Sequence, residues 1–296
     1  MSYKMVKKLL PDKMIQSIRK VRRERFEARK KSLPLLTEDM LTRVFVNDLE
    51  LKQGDVVFVH SSIDQLHLGF PFFRILALLR QIVGAAGTVV FPTYPKSLSY
   101  DFLVQNEIFD VKKTPSYMGI LTEFARKQKE AVRSLHPTKS VCAIGKYATE
   151  LTDTHHQSPY PYDDCSPYYK MMEYDGKIVG VGVDTSILSF VHCIDDKLKD
   201  QFPVEPYHES LFHAQVVDYS GNTQIVDTFA HDMKKMNHNI PRFVASYVQK
   251  DICRDLTIHG SKFYTAHSRP LFEAMSKLAE QHITIYSKKV YKRYEK

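Results

Sequence analysis

Two of the thirteen histidines stand where an imidazole can do proton chemistry. His192 is followed by Asp195 and Asp196 at i+3 and i+4, spacings that on a helix set a carboxylate beside the ring. Such a carboxylate fixes the tautomer and stabilises the imidazolium, the second half of a histidine base, and either acid is open to the role. His136 precedes Pro137, which predicts a loop entering a strand. That ring can bind a substrate, hold a coenzyme or cap the turn. Ser61 and Ser62 follow an apolar run, where backbone N–H groups and hydroxyls can meet a phosphate or an amide. Met118-Gly119 opens a predicted helix, and glycine permits close backbone approach. Arg133, Ser134 and Ser140 add a cation and hydroxyls suited to phosphate. Each serine alone is more simply a turn former; together they predict a ligand site. Asp163 and Asp164, with Glu205, Glu209 and Asp232, can grip a cationic substrate or merely balance nearby lysines.

The elements that position these residues read as α/β. Asp55–His60, Thr88–Phe91, Ser140–Ile144 and Lys177–Val183 are apolar runs of strand length, the signature of strands buried on both faces. Between them, Phe72–Val83, Tyr117–Gln128 and Pro167–Tyr174 predict helices, and Thr185–Asp195 a helix leaving the end of a strand. Ala214–Tyr219 and Thr223–Thr228 flank Ser220-Gly221-Asn222, which predicts a hairpin. The expected fold is therefore a layered α/β sandwich with a largely parallel or mixed central sheet covered by helices, plus a small antiparallel annex. Residues 36–296 are expected to form one domain behind a basic helical extension over residues 1–35.

Charge separates those two parts. Residues 1–31 carry a net charge of +9, whereas the remaining 265 residues carry −1. The pI near 9.1 thus belongs to one segment, so nucleic acid is not an expected partner. Leu10, Met14, Ile18 and Val21 share one face of a predicted helix over residues 12–31. That stripe packs on the main domain or in a homodimer; contact of the basic face with a membrane surface is the weaker reading. No apolar run is long enough to cross a bilayer, and the first residues lack the pattern of a secretory signal. Four cysteines without a CxxC pair point to a reducing cytoplasm and to no metal site. There is no P-loop, HExxH or GxSxG. His155-His156 lacks further ligands at metal spacing, and Gly180-Val-Gly182 lacks the third glycine of a dinucleotide fingerprint.

Three stretches carry a resemblance. They are Gly54–Ser62 ending His60-Ser61-Ser62; Thr114–Leu121 followed by Arg133-Ser-Leu-His-Pro-Thr-Lys-Ser140 through Gly145; and Ser166-Pro167 followed by Gly176–Gly182 and Ser189–Asp195. In this order and spacing the chain resembles the aminoglycoside 3-N-acetyltransferase family from about Thr37 to about Ile285. The Arg-Ser-x-His-Pro-Thr-x-Ser run is the most specific motif. The resemblance implies an acyl-coenzyme A-dependent N-acyltransferase (EC 2.3.1 type), with acetyl-CoA as co-substrate and no metal. It makes His192 the base, with Asp195, Ser189 and His136 beside it. It sets Ser61, Ser62, Met118, Gly119, Arg133, Ser134 and Ser140 around the coenzyme, and His60, Asp163, Asp164 and Asp232 around the acceptor. Two departures stand out: Ser189 and Asp195 replace the family's threonine and glutamate, and Tyr162-Asp163-Asp164-Cys165 replaces a glycine-bearing loop. With Tyr160, Tyr162, Tyr168 and Tyr169 nearby, that loop suits a nucleotide-linked amino sugar of surface-glycan synthesis, its ring stacked on tyrosine. Acylation of aminoglycosides themselves, conferring resistance, is the alternative. A basic membrane- or nucleic-acid-binding protein built on residues 1–31 is the alternative of another class.

Overall fold

The computed structural model of the chain describes residues 30–96 and 98–286, together with 17, 20, 21, 24, 27 and 28. The basic helix expected over residues 12–31 lies largely outside them. Among the described residues ten strands follow in chain order: β1 (Val56–Ser61), β2 (Thr88–Pro92), β3 (Phe109–Asp110), β4 (Val132–Arg133), β5 (Val141–Gly145), β6 (Lys177–Val181), β7 (Phe212–Val217), β8 (Thr223–Thr228), β9 (Cys253–Ile258) and β10 (Ser261–His267). Seven form the main sheet in the order β4-β5-β2-β1-β6-β10-β9, and β3-β7-β8 form a second.

Side chains alternate across a strand, so a strand buried on both faces must feed two cores. Val56 and Phe58 of β1 point into one core, Val57 and Val59 into the other. Helices Glu38–Arg43, Arg74–Val83 and Ile120–Arg126 close the second with Leu41, Ile75, Leu79 and Leu121. Helices Pro167–Lys170, Cys193–Leu198, Ile240–Tyr247 and Ser268–Ala279 close the first with Tyr168, Ile194, Phe243 and Leu271. Helix Arg74–Val83 shows why such a segment folds. Ile75, Leu76, Leu79 and Val83 fall on one face and are buried, each contributing roughly 1.5–3 kcal/mol. Gly84 then ends the helix at φ +65°, a conformation that favours glycine.

The sheet is mixed. β1 pairs in parallel with β2 and β6, while β5, β4, β10 and β9 all join antiparallel. The parallel character expected from the apolar runs is therefore confined to the centre. A two-residue turn, His259-Gly260 with both φ positive, joins β9 to β10 and forces them antiparallel. The predicted β7–β8 hairpin forms the annex, with Phe109 of β3 and Val216 and Val226 in its core.

The helix expected over Thr185–Asp195 is interrupted. Two 3-10 turns, Thr185–Ile187 and Ser189–His192, precede the α-helix Cys193–Leu198. Asp184 caps the N–H of Ser186, and Asp255 accepts both the N–H and the hydroxyl of Thr185. Leu188, at ψ 86°, then breaks the turn sequence and swings the next turn back over the sheet. Among the described residues, no helix is long and apolar enough to cross a membrane.

Candidate active site

That second turn carries Ser189 and His192 to the side of the sheet where β1 presents His60. Ser189 Oγ lies 2.8 Å from His60 Nε2, and the Tyr264 hydroxyl lies 2.6 Å from His60 Nδ1. The turn is thus pinned to β1 through one imidazole whose two nitrogens are both occupied. Burial lowers His60 to about 3, so the ring stays neutral and serves as a connector.

His192 is different. Its Nδ1 lies 2.9 Å from Asp195 Oδ2, the contact that i+3 spacing allows. Tyr286, arriving 91 residues later, donates to the same oxygen and sits 3.4 Å from Nδ1. With two donors converging on Oδ2, the imidazole proton belongs on Nδ1 and the lone pair on Nε2. Nε2 has no hydrogen-bond partner among the described residues. Asp196 does not compete for the ring: it accepts the Tyr162 N–H at 2.7 Å and the Tyr207 hydroxyl at 2.6 Å.

Both members of the pair are buried, at 6% and 3% exposure. Burial lowers His192 to about 3, with Lys139 adding to the effect. Burial also pushes the Asp195 carboxyl well up, against the pull of Tyr286, and Asp195 Oδ1 is buried without a partner. The resting ring is therefore neutral at any physiological pH. Once it takes a proton, Asp195 is in contact to hold the charge. A cavity of about 500 Å³, lined by Asn237, His238, Asn239, Arg242, Tyr247 and Tyr286 among others, adjoins the pair only through Tyr286, whose hydroxyl meets Asp195. The His231 and His238 rings stand 5.0 and 5.9 Å from the His192 ring.

The residues expected around the coenzyme separate into two groups. Ser61 and Ser62, at the end of β1, are half-buried, and their hydroxyls bond no described residue. Gly119, at φ +109°, faces the Ser61 carbonyl; a Cβ there would come within 3.9 Å of it. Met118 donates its N–H to Ser116 Oγ, which fixes the loop in front of β1.

Arg133, Ser134, Ser140 and His136 lie together elsewhere, on and beside β4 and β5, each buried to 3% exposure or less. Arg133 spends Nε on Thr93 and Ser140 hydroxyls at 3.2 Å, and its terminal nitrogens on the Thr114 and Thr93 carbonyls. Its guanidinium stacks on Phe109 of the annex at 4.6 Å. Burial brings it down to about 9. A phosphate contact from Arg133 requires exchanging those bonds. Ser134 Oγ is 2.8 Å from His155 Nδ1 and accepts the Val141 N–H. His136 Nδ1 accepts the N–H groups of Thr138 and Lys139, and its ring stacks on His155 at 4.5 Å. Of the three roles open to His136, the turn cap is the one its ring performs here.

On the acceptor side, Asp163 is buried and accepts from Ser158 Oγ and the Cys165 N–H. Asp164 is exposed, 3.5 Å from Lys197. Asp232 caps its own turn through the Lys234 N–H. Tyr162 and Tyr168 are core residues, 2% and 1% exposed, with Tyr168 bonded to the Tyr94 hydroxyl at 2.6 Å. A substrate ring therefore cannot stack on them, which removes two of the four tyrosines expected to serve that purpose. Sequence reasoning missed Tyr286, His231 and His238. They carry no local motif and reach the site only through the fold.

A mixed sheet with a histidine–carboxylate pair on the chain that follows β6 defines an α/β protein whose buried imidazole has one nitrogen engaged and the other open. Residues 58–280 match the family profile described as aminoglycoside 3-N-acetyltransferase, and the chain belongs to that family. A curated relative, aminoglycoside N(3)-acetyltransferase IX of Micromonospora chalcea, is 26% identical over 160 residues, 49% of this chain and 57% of the relative. The chain thus spans little more than half the length of that relative. The solved structure of AAC-IIIb in binary complex with CoASH superposes with a TM-score of 0.68 at 20% identity, covering 86% of this chain and all of the other. AAC-VIa bound to sisomicin superposes with a TM-score of 0.68 at 19% identity, covering 84% and 99%. At these identities the two structures establish a shared fold.

Proposed function

We propose that the protein transfers an acyl group, with acetyl as the first candidate, from acyl-coenzyme A to an amine of an aminoglycoside or a closely similar amino sugar. The observation that carries this reading is His192: Nδ1 is fixed on Asp195, and Nε2 is left without a hydrogen-bond partner among the described residues. The names of the relatives support aminoglycosides over a nucleotide-linked sugar, and the burial of Tyr162 and Tyr168 weighs the same way. The coenzyme contributes a thioester, an acyl group already activated toward amines. Ser61, Ser62 and the open backbone at Gly119 fit an amide-bearing pantetheine arm, having hydroxyls without protein partners and no Cβ in the way. As the new C–N bond forms, the attacking nitrogen becomes cationic and acidic. His192 Nε2 takes that proton, Asp195 and Tyr286 hold the ring in place, and the proton leaves with the departing thiolate. Four free thiols and the lack of any described membrane-spanning helix accord with a cytoplasmic site of action.

Thiol release from acetyl-CoA against a panel of amines tests the proposal. Sisomicin is expected to be acetylated, and a nucleotide-linked amino sugar to lag at least tenfold in kcat/KM, roughly the discrimination one lost contact gives. No release with any amine overturns the reading.

A further inference from the structure

Attack on an acyl carbonyl creates a tetrahedral oxyanion, which His192, a proton acceptor, and Asp195, an acid, cannot stabilise. Two groups beside them can. Lys139 lies on the β4–β5 turn, its backbone N–H on His136 and its carbonyl accepting from Tyr168. Its side chain is half-buried, with Nζ 4.7 Å over the Tyr94 ring. That amine makes no ion pair or hydrogen bond with any described residue. The Tyr94 hydroxyl meets that of Tyr162 at 3.5 Å, and the Tyr162 ring stands 5.3 Å from His192, so lysine and base belong to one cluster. His231 is 5% exposed, stacks on Tyr207 at 4.5 Å, and buries Nε2 with no partner. Unpartnered buried polar atoms are uncommon, and a bound ligand is one of the things that completes their bonding.

We propose that Lys139 and His231 form the oxyanion side of this site, with the ammonium and an imidazole N–H meeting the acyl carbonyl oxygen while His192 meets the amine. This rests on the acyl-transfer reading above. As the C–N bond forms, the carbonyl π pair moves onto oxygen and is held there; it returns as the C–S bond breaks, and the proton passes from nitrogen through His192 to the thiolate. The titratable groups facing Lys139 are Tyr94, Tyr168, His136, His192 and His231. Burial lowers the lysine to about 8. Since the charged form is the useful one, turnover falls as pH rises through that value.

Kinetics with acetyl-CoA and sisomicin test this. Lys139→Met is expected to lower kcat on the order of 100-fold, the usual loss for one oxyanion donor, with KM for acetyl-CoA nearly unchanged. Lys139→Arg keeps measurable turnover and moves the alkaline limb upward, because guanidinium stays charged. His231→Phe loses more kcat than His231→Gln, which retains an N–H. Wild-type kcat in Lys139→Met overturns the proposal. A second readout needs no acceptor: acetic anhydride labelling of Lys139, followed by peptide mass spectrometry, is slowed by acetyl-CoA. Unslowed labelling also overturns it. Protection without turnover of any amine overturns the acyl-transfer reading and the oxyanion role with it, leaving Lys139 as a coenzyme contact alone.

Discussion

The His192 cluster and the Arg133 cluster are both buried, rich in polar side chains and drawn from family motifs, yet their hydrogen bonding differs: the Arg133, Ser134, His136 and His155 side chains are all engaged, with Thr138 Oγ1 at the edge left unpaired. Around Arg133, donors meet acceptors: guanidinium to carbonyls and hydroxyls, Ser134 to His155, His155 Nε2 to the Pro161 carbonyl at 2.9 Å. Around His192, the bonding is unfinished, with Asp195 Oδ1 and His231 Nε2 buried and unpaired and His192 Nε2 unengaged. A completed network stabilises a fold and has nothing left to offer a substrate. Incomplete bonding costs stability, and a functional site is one place where that cost is offset. Most of the most specific sequence motif thus builds the joint between the main sheet and the annex, while the plainer His-x-x-Asp, with Lys139 from the end of that motif, is where the proposed chemistry falls.

Five substitutions press on that contrast. Asp195→Asn is expected to slow turnover about 1,000-fold, since it presents the wrong partner to Nδ1. Asp196→Asn, whose carboxylate bonds Tyr162 and Tyr207 rather than His192, leaves kcat within about threefold and lowers the melting temperature. Equal losses of kcat in both variants break the distinction between orienting and structural acid. Arg133→Met strands several buried acceptors and is expected to cost about 3 kcal/mol in urea unfolding, with KM for acetyl-CoA little changed at a temperature where the variant stays folded. A large rise in that KM instead moves Arg133 to the coenzyme.

Tyr286→Phe removes a donor to Asp195 and should slow turnover about tenfold, an orienting loss of the size seen at outer partners of catalytic groups. The smallest effect is a pH dependence. Burial lowers His155 to about 3, whereas an unfolded histidine titrates near 6.5. Below that value the unfolded chain takes a proton that the folded one refuses, so stability is lost as pH falls. Between pH 7.5 and 5.5 this single ring accounts for about 1.4 kcal/mol. His155→Gln should narrow the gap in unfolding free energy between those pH values by that amount; an unchanged gap shows that the folded ring takes up its proton as the unfolded one does.

Much of this was legible in the residues and some was not, for physical reasons. β1, β2, β5 and β6 are apolar on both faces and announced themselves as uninterrupted runs. β9 reads Cys-Arg-Asp-Leu-Thr-Ile, with Arg254 and Asp255 breaking the pattern, because an edge strand may carry charge. The two-residue strands β3 and β4 have no period to detect. The His192–Asp195 contact was legible because it is local. Tyr286 and His231 were not, because only the packing of the C-terminal segment and the stretch after β8 brings them to the ring. The continuous helix expected through His192 failed for a similar reason: Asp255, seventy residues away, binds Thr185 and sets the chain's path there.

The most direct test is steady-state thiol release from acetyl-CoA with sisomicin, comparing wild type with His192→Gln at matched folded concentration. Without its positioned base the variant is expected to turn over 100- to 10,000-fold more slowly, roughly the range general-base catalysis supplies, with circular dichroism unchanged. Turnover by His192→Gln within about threefold of wild type would contradict the assignment of proton transfer to that ring.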